Sequence, residues 1–191
     1  MRSLPVLPFT LSARSMMSIA VLALLGLAAP GKLSAQTPPI RLRLPGYFTP
    51  MSVDSVAAAP VVVRASREIT YKAANAVLTE LKIPVTTQDP AFRVLGSGSA
   101  RMIRKLGRER LSAYLNCGSG MSGSHADGWR VTMAVFVWLE PVTATETRIR
   151  VGMLAGAQDV EGVSKDPVAC GSTGVFETFL GAEIQKRVAL F

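Results

Sequence analysis

Apolar residues are spaced in two different ways along this chain, and the change in spacing predicts a mixed α+β fold. From Ser66 to Lys82 they recur at every fourth position, as on one face of a helix, with Ser66 as the N-cap and Pro84 as the stop. The C-terminal apolar residues also follow helical spacing: Phe176, Phe179, Leu180, Ile184, Val188 and Phe191. We therefore expect one helix near each end of a folded domain.

Between these helices the pattern is extended, because β-branched and alternating residues dominate. The predicted strands are Val61–Val63, one within 85–95, Leu111–Cys117, Arg130–Leu139 and Thr147–Ala157, with residues 140–146 as a hairpin loop. The resulting order of elements is strand, helix, about four antiparallel strands and helix. It predicts a two-layer α+β sandwich, in which an antiparallel sheet of four to five strands carries both helices on one face.

The first 35 residues have the order of a secretory signal peptide. Two arginines come before an uncharged run from Ser18 to Ala29, which is too short to span a bilayer, since a spanning helix needs about 20 residues. Small residues end the segment, and we place the cleavage after Ala35. Met16 and Met17 are alternative starts to Met1. We expect a periplasmic or extracellular protein that is soluble after cleavage.

Residues 36–60 contain five prolines and few large apolar residues, which predicts an extended arm that is not packed. Residues 61–191 are then expected to form a single α+β domain, whose size is that of one ordinary domain. No internal repeat or second domain is indicated.

Charge is concentrated in one segment. The formal charge of the chain is +8, and removal of the leader leaves 18 basic residues against 13 acidic ones. Residues 101–110 carry one acidic residue, Glu109, and five basic ones: Arg101, Arg104, Lys105, Arg108 and Arg110. Such a run is either a solvated loop or a surface for an acidic polymer or anionic headgroups.

The two cysteines, Cys117 and Cys170, are expected to form a disulfide in an oxidising compartment. A metal or redox pair is the alternative, but the chain has no Cys-x-x-Cys motif and one histidine. The chain-entropy model gives a loop of this length a stabilisation of about 4 kcal/mol. We expect the bond to join the last helix to the sheet.

The histidine, His125, lies in the glycine-rich segment 118–128 with Asp127 and several serines. These are the parts of a hydrolase, but catalysis needs a base held within hydrogen-bond reach of its nucleophile. We interpret the segment as an exposed, mobile hairpin tip and assign no catalytic residue. The spacing fits neither a phosphate loop nor a metal site, so no cofactor is predicted.

The two long strands predict a candidate binding face. An even register sets Val137 opposite Ile149, Val135 opposite Val151 and Met133 opposite Met153, which gives the helices an apolar face. On the other face Trp138 then lies across from Arg148, and Phe136 across from Arg150, with Tyr114 on the same side. This face is either covered by the chain itself, under the proline-rich arm, or open to an anionic or protein partner.

In element order, signal peptide and proline-rich arm, the chain resembles the helix-grip domains of the accessory lipoprotein of the outer-membrane β-barrel assembly machinery. The resemblance covers residues 61–191. It implies a non-enzymatic protein-interaction module of the bacterial envelope. The chain departs from that family because neither cysteine lies next to the signal region, where a lipid would be attached.

The expected function is that of an exported, non-catalytic binding or envelope-assembly module. Its partner would be an envelope protein or an anionic surface, and export argues against nucleic acid. An exported hydrolase that uses the His125 loop is the alternative. No transmembrane segment is expected in the mature chain, and the oligomeric state is left open.

Overall fold

Both spacings of apolar residues appear as regular structure in a computed structural model of the chain, which describes residues 40–53, 57–89, 91, 93–162 and 166–191. The predicted signal peptide lies outside these residues. The helices are α1 (Arg67–Glu80), α2 (His125–Gly128) and α3 (Val175–Val188), with a 3-10 turn at Leu111–Ala113. The strands are β1 (Ile40–Leu42), β2 (Met51–Val53), β3 (Val61–Val63), β4 (Thr87–Gln88), β5 (Val94–Ile103), β6 (Lys105–Leu106), β7 (Glu109–Arg110), β8 (Leu115–Asn116), β9 (Ser119–Gly120), β10 (Gly123–Ser124), β11 (Arg130–Pro141), β12 (Thr147–Gln158) and β13 (Val168–Ser172).

A large antiparallel sheet organises the fold, in the order β7-β6-β5-β11-β12-β13-β8. Strand β3 pairs with the start of β12, and β4 pairs with β5, which gives nine strands in all. The α+β class is confirmed. The sheet has more strands than the four to five expected, because short segments such as β4, β6 and β7 extend it at the edge beside β5.

One face of the sheet packs against α1 and α3. Val77 and Leu78 of α1 and Leu180 and Ile184 of α3 are buried in one cluster with the inward side chains of the sheet. Those side chains are Met133, Val135, Val137 and Leu139 of β11 and Ile149, Val151 and Met153 of β12. The alternation of these strands therefore brings their inward apolar side chains into the same cluster as those of α1 and α3.

Local contacts fix the ends of α1. The Ser66 hydroxyl accepts a hydrogen bond from the Ile69 N–H at 3.4 Å, which confirms the predicted cap. At the other end Lys82 adopts a left-handed φ of 57°, and the Ile83 N–H donates to the Leu78 carbonyl at 2.9 Å. A left-handed residue followed by such a hydrogen bond back to the last turn is a common way for a helix to end.

The N-cap of helix α3 is a glycine with a left-handed φ of 80°, Gly174, whose N–H donates to the Ser172 hydroxyl at 3.0 Å. The same hydroxyl donates to Glu177 at 2.6 Å. The helix ends at Val188, and Phe191 is 65% exposed. The predicted helical spacing therefore extends one turn too far, and Phe191 is not a core residue.

The other face of the sheet is partly covered by a hairpin made of β1 and β2, within residues 40–53. Leu44 is fully buried and Val53 is 2% exposed. The expectation of an unpacked arm is therefore wrong for these residues. Apolar residues alternate along Ile40–Leu42 and onwards, so the segment can bury one side despite its prolines.

The β11–β12 register differs from the predicted one by two residues. Trp138 pairs with Arg150, Phe136 with Gly152 and Val137 with Val151. The hairpin turn is shorter than predicted, because β11 continues to Pro141 and β12 begins at Thr147. A shift of two preserves which side chains share a face, so only the cross-strand partners change.

Within the part of the chain that the structure describes, no helix has the length and apolar character needed to cross a bilayer.

Candidate binding surface

The face predicted from β11 and β12 is covered by residues 40–53. Phe136 and Trp138 are 2% and 3% exposed, and they belong to one apolar cluster with Leu44 and Val53. The two aromatic rings are 6.1 Å apart between centroids. The structure therefore has the arrangement in which the chain covers this face itself, and these rings are core residues.

The two arginines of this face find their counter-charge inside the protein. Arg150 Nε lies 2.8 Å from Glu140 Oε1, and Arg148 Nη1 lies 3.7 Å from Glu140 Oε2. The Arg150 guanidinium is also 5.6 Å from the centroid of the Trp138 ring, within range of a cation–π contact. We call this region, Phe136, Trp138, Arg148 and Arg150 with residues 40–53 above it, the covered end.

Tyr114 does not lie on this face, contrary to the prediction. It is 3% exposed in the cluster under the helices, with its ring edge-on to Phe176 at 5.4 Å. The cause is local: Leu111–Ala113 forms a 3-10 turn instead of a strand, so the two-residue alternation does not continue to Tyr114. Burial raises the pKa of the tyrosine hydroxyl.

The predicted basic patch is an ordered edge of the sheet and not a loop. All five basic residues are exposed: Arg101 in β5, Arg104 in the turn that follows, Lys105 in β6, Arg108 in the next turn and Arg110 in β7. The run was interpreted as a loop because its dense charge hides the alternation. Met102 and Leu106 are in fact buried in the cluster under the helices.

Since Met102 and Leu106 point to the helices, the residues that alternate with them point to the opposite face. Pairing aligns these residues in one row across five strands. The row runs Arg110, Lys105, Ile103, Arg130 and Gln158. It lies on the same face as Phe136 and Trp138, because Arg130 alternates in step with them along β11.

None of the five basic residues of the patch has an ion-pair partner in the described ranges. Lys105 and Arg110 are directly opposed across their strands, and like charges in that position destabilise a sheet. Glu109, the acidic residue of the run, pairs with Leu106 and so lies on the other side. We call Arg101, Ile103, Arg104, Lys105, Arg108 and Arg110 the open basic end.

A cleft of about 310 Å³ opens beside this end, and its lining is mainly cationic. It is lined by Arg104, Lys105, Arg110 and Asp127. Both carboxylate oxygens of Asp127 accept hydrogen bonds from Ser112, one from its N–H at 2.9 Å and one from its hydroxyl at 2.7 Å. Asp127 thus holds the adjacent turn in place while three cations border the cleft.

Arg104 forms the sharp turn between β5 and β6 in a left-handed conformation, with a φ of 63°. Its carbonyl accepts a hydrogen bond from the Leu111 N–H at 2.9 Å, which closes the turn. A side chain other than glycine costs about 1–2 kcal/mol in this conformation. The chain therefore keeps an arginine at a position where glycine would be less strained.

Two of the exposed apolar side chains in the described residues lie in or near this row, and neither was predicted as part of a site. Ile103 is 68% exposed at the centre of the cross-strand row, and Phe48 is 94% exposed in the loop between β1 and β2. The residue before it, Tyr47, lies over Gly156 and donates a hydrogen bond to the Val168 carbonyl, and burial raises its pKa. Gly156 is two residues from Gln158, the last member of the row.

His125 is held more firmly than expected, by contacts that the prediction of a mobile hairpin tip did not include. It begins the one-turn helix α2, its ring stacks on Trp129 at 3.8 Å, and its Nδ1 lies 3.2 Å from the Cys117 carbonyl oxygen. Asp127 is hydrogen-bonded to Ser112 instead. The structure therefore engages His125 and Asp127 with different partners, and the tip of the hairpin is the exposed Met121.

The disulfide between Cys117 and Cys170 is confirmed. It joins the residue after β8 to the middle of β13, and these two strands are also paired. Cys170 lies five residues before α3, so the bond connects two strands and does not hold the helix directly. Within the described ranges, no three His, Cys, Asp or Glu side chains come together as a metal site.

No protein-family model matches this chain, and no curated protein matches it.

Proposed function

We propose that this protein is an exported, non-catalytic binding module and that the open basic end is its binding surface. The observation that carries the proposal is the set of five exposed cations without an ion-pair partner in the described residues. On the same face Arg148 and Arg150 are paired with Glu140. The counter-charge for the open basic end is then expected to come from a partner.

The arrangement of this end costs stability, which supports a role other than folding. Lys105 and Arg110 repel each other across their strands, and Arg104 occupies a left-handed turn. Local features that oppose stability without compensation are concentrated at functional sites. An anionic ligand would relieve the repulsion and use the cleft between the same three side chains.

The partner class follows from the side chains. Arginine presents a planar fork of donors that matches phosphate and carboxylate groups, and lysine adds a point charge. An anionic polymer or surface with repeated phosphate or carboxylate groups fits five cations better than a single small anion does. The expected export of the chain favours a partner in the envelope over nucleic acid.

A role in envelope assembly is a finer form of the same proposal. It follows from the resemblance in element order to the helix-grip domains of the β-barrel assembly lipoprotein, and α1 and α3 share one apolar cluster with the sheet. Because fold likeness alone does not establish function, this role is secondary to the binding surface.

The test measures binding to inorganic polyphosphate by the secreted, disulfide-bonded protein at increasing salt. Substituting Arg101, Lys105 and Arg110 with glutamine should lower the affinity by at least about tenfold near physiological salt, because three phosphate contacts and their released counterions are lost. Removal of these contacts should also make the remaining binding less sensitive to salt.

The matched control substitutes Arg41, Arg43 and Arg64 with glutamine. These three arginines are also exposed, and their loss changes the net charge by the same amount. We expect this control to bind like the original protein. Equal losses in both variants would show a nonspecific effect of net charge, and no measurable binding in the original protein would contradict the proposal.

A further inference from the structure

We infer that the anionic partner of the open basic end is the surface of a lipid bilayer, with Ile103 entering the headgroup layer. This inference rests on the proposed function and adds the class of partner. Its basis is an exposed apolar side chain, Ile103, among cations that form no ion pair within the described residues.

Ile103 is surrounded by cations. Lys105 and Arg130 are its neighbours in the cross-strand row, and Arg101 precedes it by two residues on the same face. Its side chain is 68% exposed, although it lies in a strand whose other face is packed. A soluble polyanion offers no apolar contact to such a side chain. An anionic bilayer offers both negative charge and apolar contact, since acyl chains lie directly beneath the charged headgroups.

Phe48 is a second exposed apolar side chain, in the loop between β1 and β2 at the border of the covered end. It is 94% exposed, and its neighbour Tyr47 is anchored over Gly156. Gly156 is two residues from Gln158 in β12, and Gln158 pairs with Arg130. The loop that carries Phe48 therefore borders the row. Aromatic and aliphatic side chains beside a basic surface are typical of proteins that bind at the membrane interface.

The shape of the surface also fits a bilayer. The row crosses five neighbouring strands, and at about 4.8 Å per step it is about 20 Å wide. A broad sheet face allows several cations to approach one plane together. Each basic residue near an anionic membrane is expected to increase partition about fivefold, and the effect decays within a Debye length.

The experiment measures flotation of the full secreted protein with two kinds of vesicles. One contains phosphatidylcholine alone, and the other contains phosphatidylcholine mixed with phosphatidylglycerol. We expect binding to the second kind only, decreasing with salt. Ile103→Ser should reduce this partition about threefold to tenfold, because less apolar surface is buried, while polyphosphate binding stays unchanged. Val62→Ser is the control, since Val62 is exposed in β3, away from the row.

A second measurement reports insertion directly. A tryptophan introduced by Ile103→Trp should be quenched by phosphatidylglycerol with brominated acyl chains, in excess of any quenching in the original protein. Trp138 is 3% exposed and should contribute little to the signal. Circular dichroism of each variant establishes that the fold is retained.

The outcomes separate the two proposals. Binding to anionic vesicles that depends on both the cations and Ile103 supports the bilayer. Binding to polyphosphate without binding to vesicles overturns the bilayer but leaves the proposed function intact, and an acidic protein or polymer would then be the partner. Vesicle binding that is unaffected by Ile103→Ser also overturns the inference. Failure to bind either probe overturns both proposals.

Discussion

The two ends of one sheet face use the same kinds of side chain in opposite ways. At the covered end, Arg148 and Arg150 share Glu140, and Arg150 also approaches the Trp138 ring. At the open basic end, Lys105 and Arg110 are directly opposed across their strands, and neither forms an ion pair within the described residues. The covered end lies on β11 and β12 and the open basic end on β5, β6 and β7 of the same sheet, so the difference does not come from the fold class.

The difference is that other parts of the chain cover and neutralise one end but not the other. Residues 40–53 bury the aromatic rings of the covered end, and Glu140 neutralises its arginines. The open basic end is neither covered by residues 40–53 nor paired with Glu140, and Ile103 is exposed there. A buried aromatic beside a paired arginine stabilises the protein, whereas repelling cations and a strained turn do not. This contrast is why we assign function to one end only.

The strongest way to disturb the covered end is Trp138→Ala. The side chain is 3% exposed between β11 and residues 40–53, so its loss leaves a cavity. We expect the free energy of unfolding to fall by about 3–5 kcal/mol, as for other large-to-small changes in cores. Chemical denaturation measures the change. Polyphosphate binding below the transition should stay normal, and its loss would mean that the two ends are not independent.

Gly156→Ala should loosen the cover itself. A Cβ at this position would lie 2.5 Å from carbons of the Tyr47 ring, so residues 40–53 must move away. We expect a loss of about 1–3 kcal/mol, the usual cost of overpacking, together with a red shift of the tryptophan fluorescence as Trp138 becomes more exposed. Gly171→Ala is the matched control in β13, because its Cβ would meet nothing within 4 Å. Equal effects from both substitutions would contradict the packing described for Tyr47.

Arg104→Gly should make the open end more stable and less able to bind. Glycine relieves the left-handed strain at φ 63°, although it also increases the entropy of the unfolded chain, so we expect a net gain of about 0.5 kcal/mol. Lys82→Gly is a matched control with a φ of 57° at the end of α1. It removes the same charge and the same strain, and it should leave polyphosphate binding unchanged.

Lys105→Gln should have the smallest effect on stability, but its sign is informative. Removing one of two opposed like charges should raise the unfolding midpoint slightly at low salt, and the gain should vanish at high salt. The control Arg148→Gln removes a charge paired with Glu140 at the covered end, so it should not raise the midpoint. A lower midpoint for Lys105→Gln would show that Lys105 stabilises the fold.

The sequence predicted those parts of the fold in which local pattern and burial agree. Helix α1, its Ser66 cap, the two long strands and the disulfide follow directly from spacing and residue type. The register of β11 and β12 could not be fixed, because a shift of two residues keeps every apolar side chain on the same face. The burial of residues 40–53 was missed because prolines outweighed a short alternation.

The candidate site was harder to predict than the fold. Its five cations are evident from the composition of residues 101–110. The dense charge hides the alternation of a strand, so the exposure of Ile103 beside the buried Met102 was not predicted. Tyr114 was assigned to the wrong face, because nothing in Leu111–Cys117 distinguishes a 3-10 turn from a strand. Whether a basic side chain is exposed or ion-paired depends on residues of neighbouring strands. Glu140, for example, pairs with Arg148 and Arg150, and the local sequence pattern does not show this.

The most direct test of the central claim is an NMR titration of the arginine side-chain Nε–Hε signals with polyphosphate. We expect the signals of Arg101, Arg104, Arg108 and Arg110 to shift together, while those of Arg148 and Arg150 stay in place. The contrary result, shifts at Arg148 and Arg150 with none at the open basic end, would contradict the assignment of function to that end.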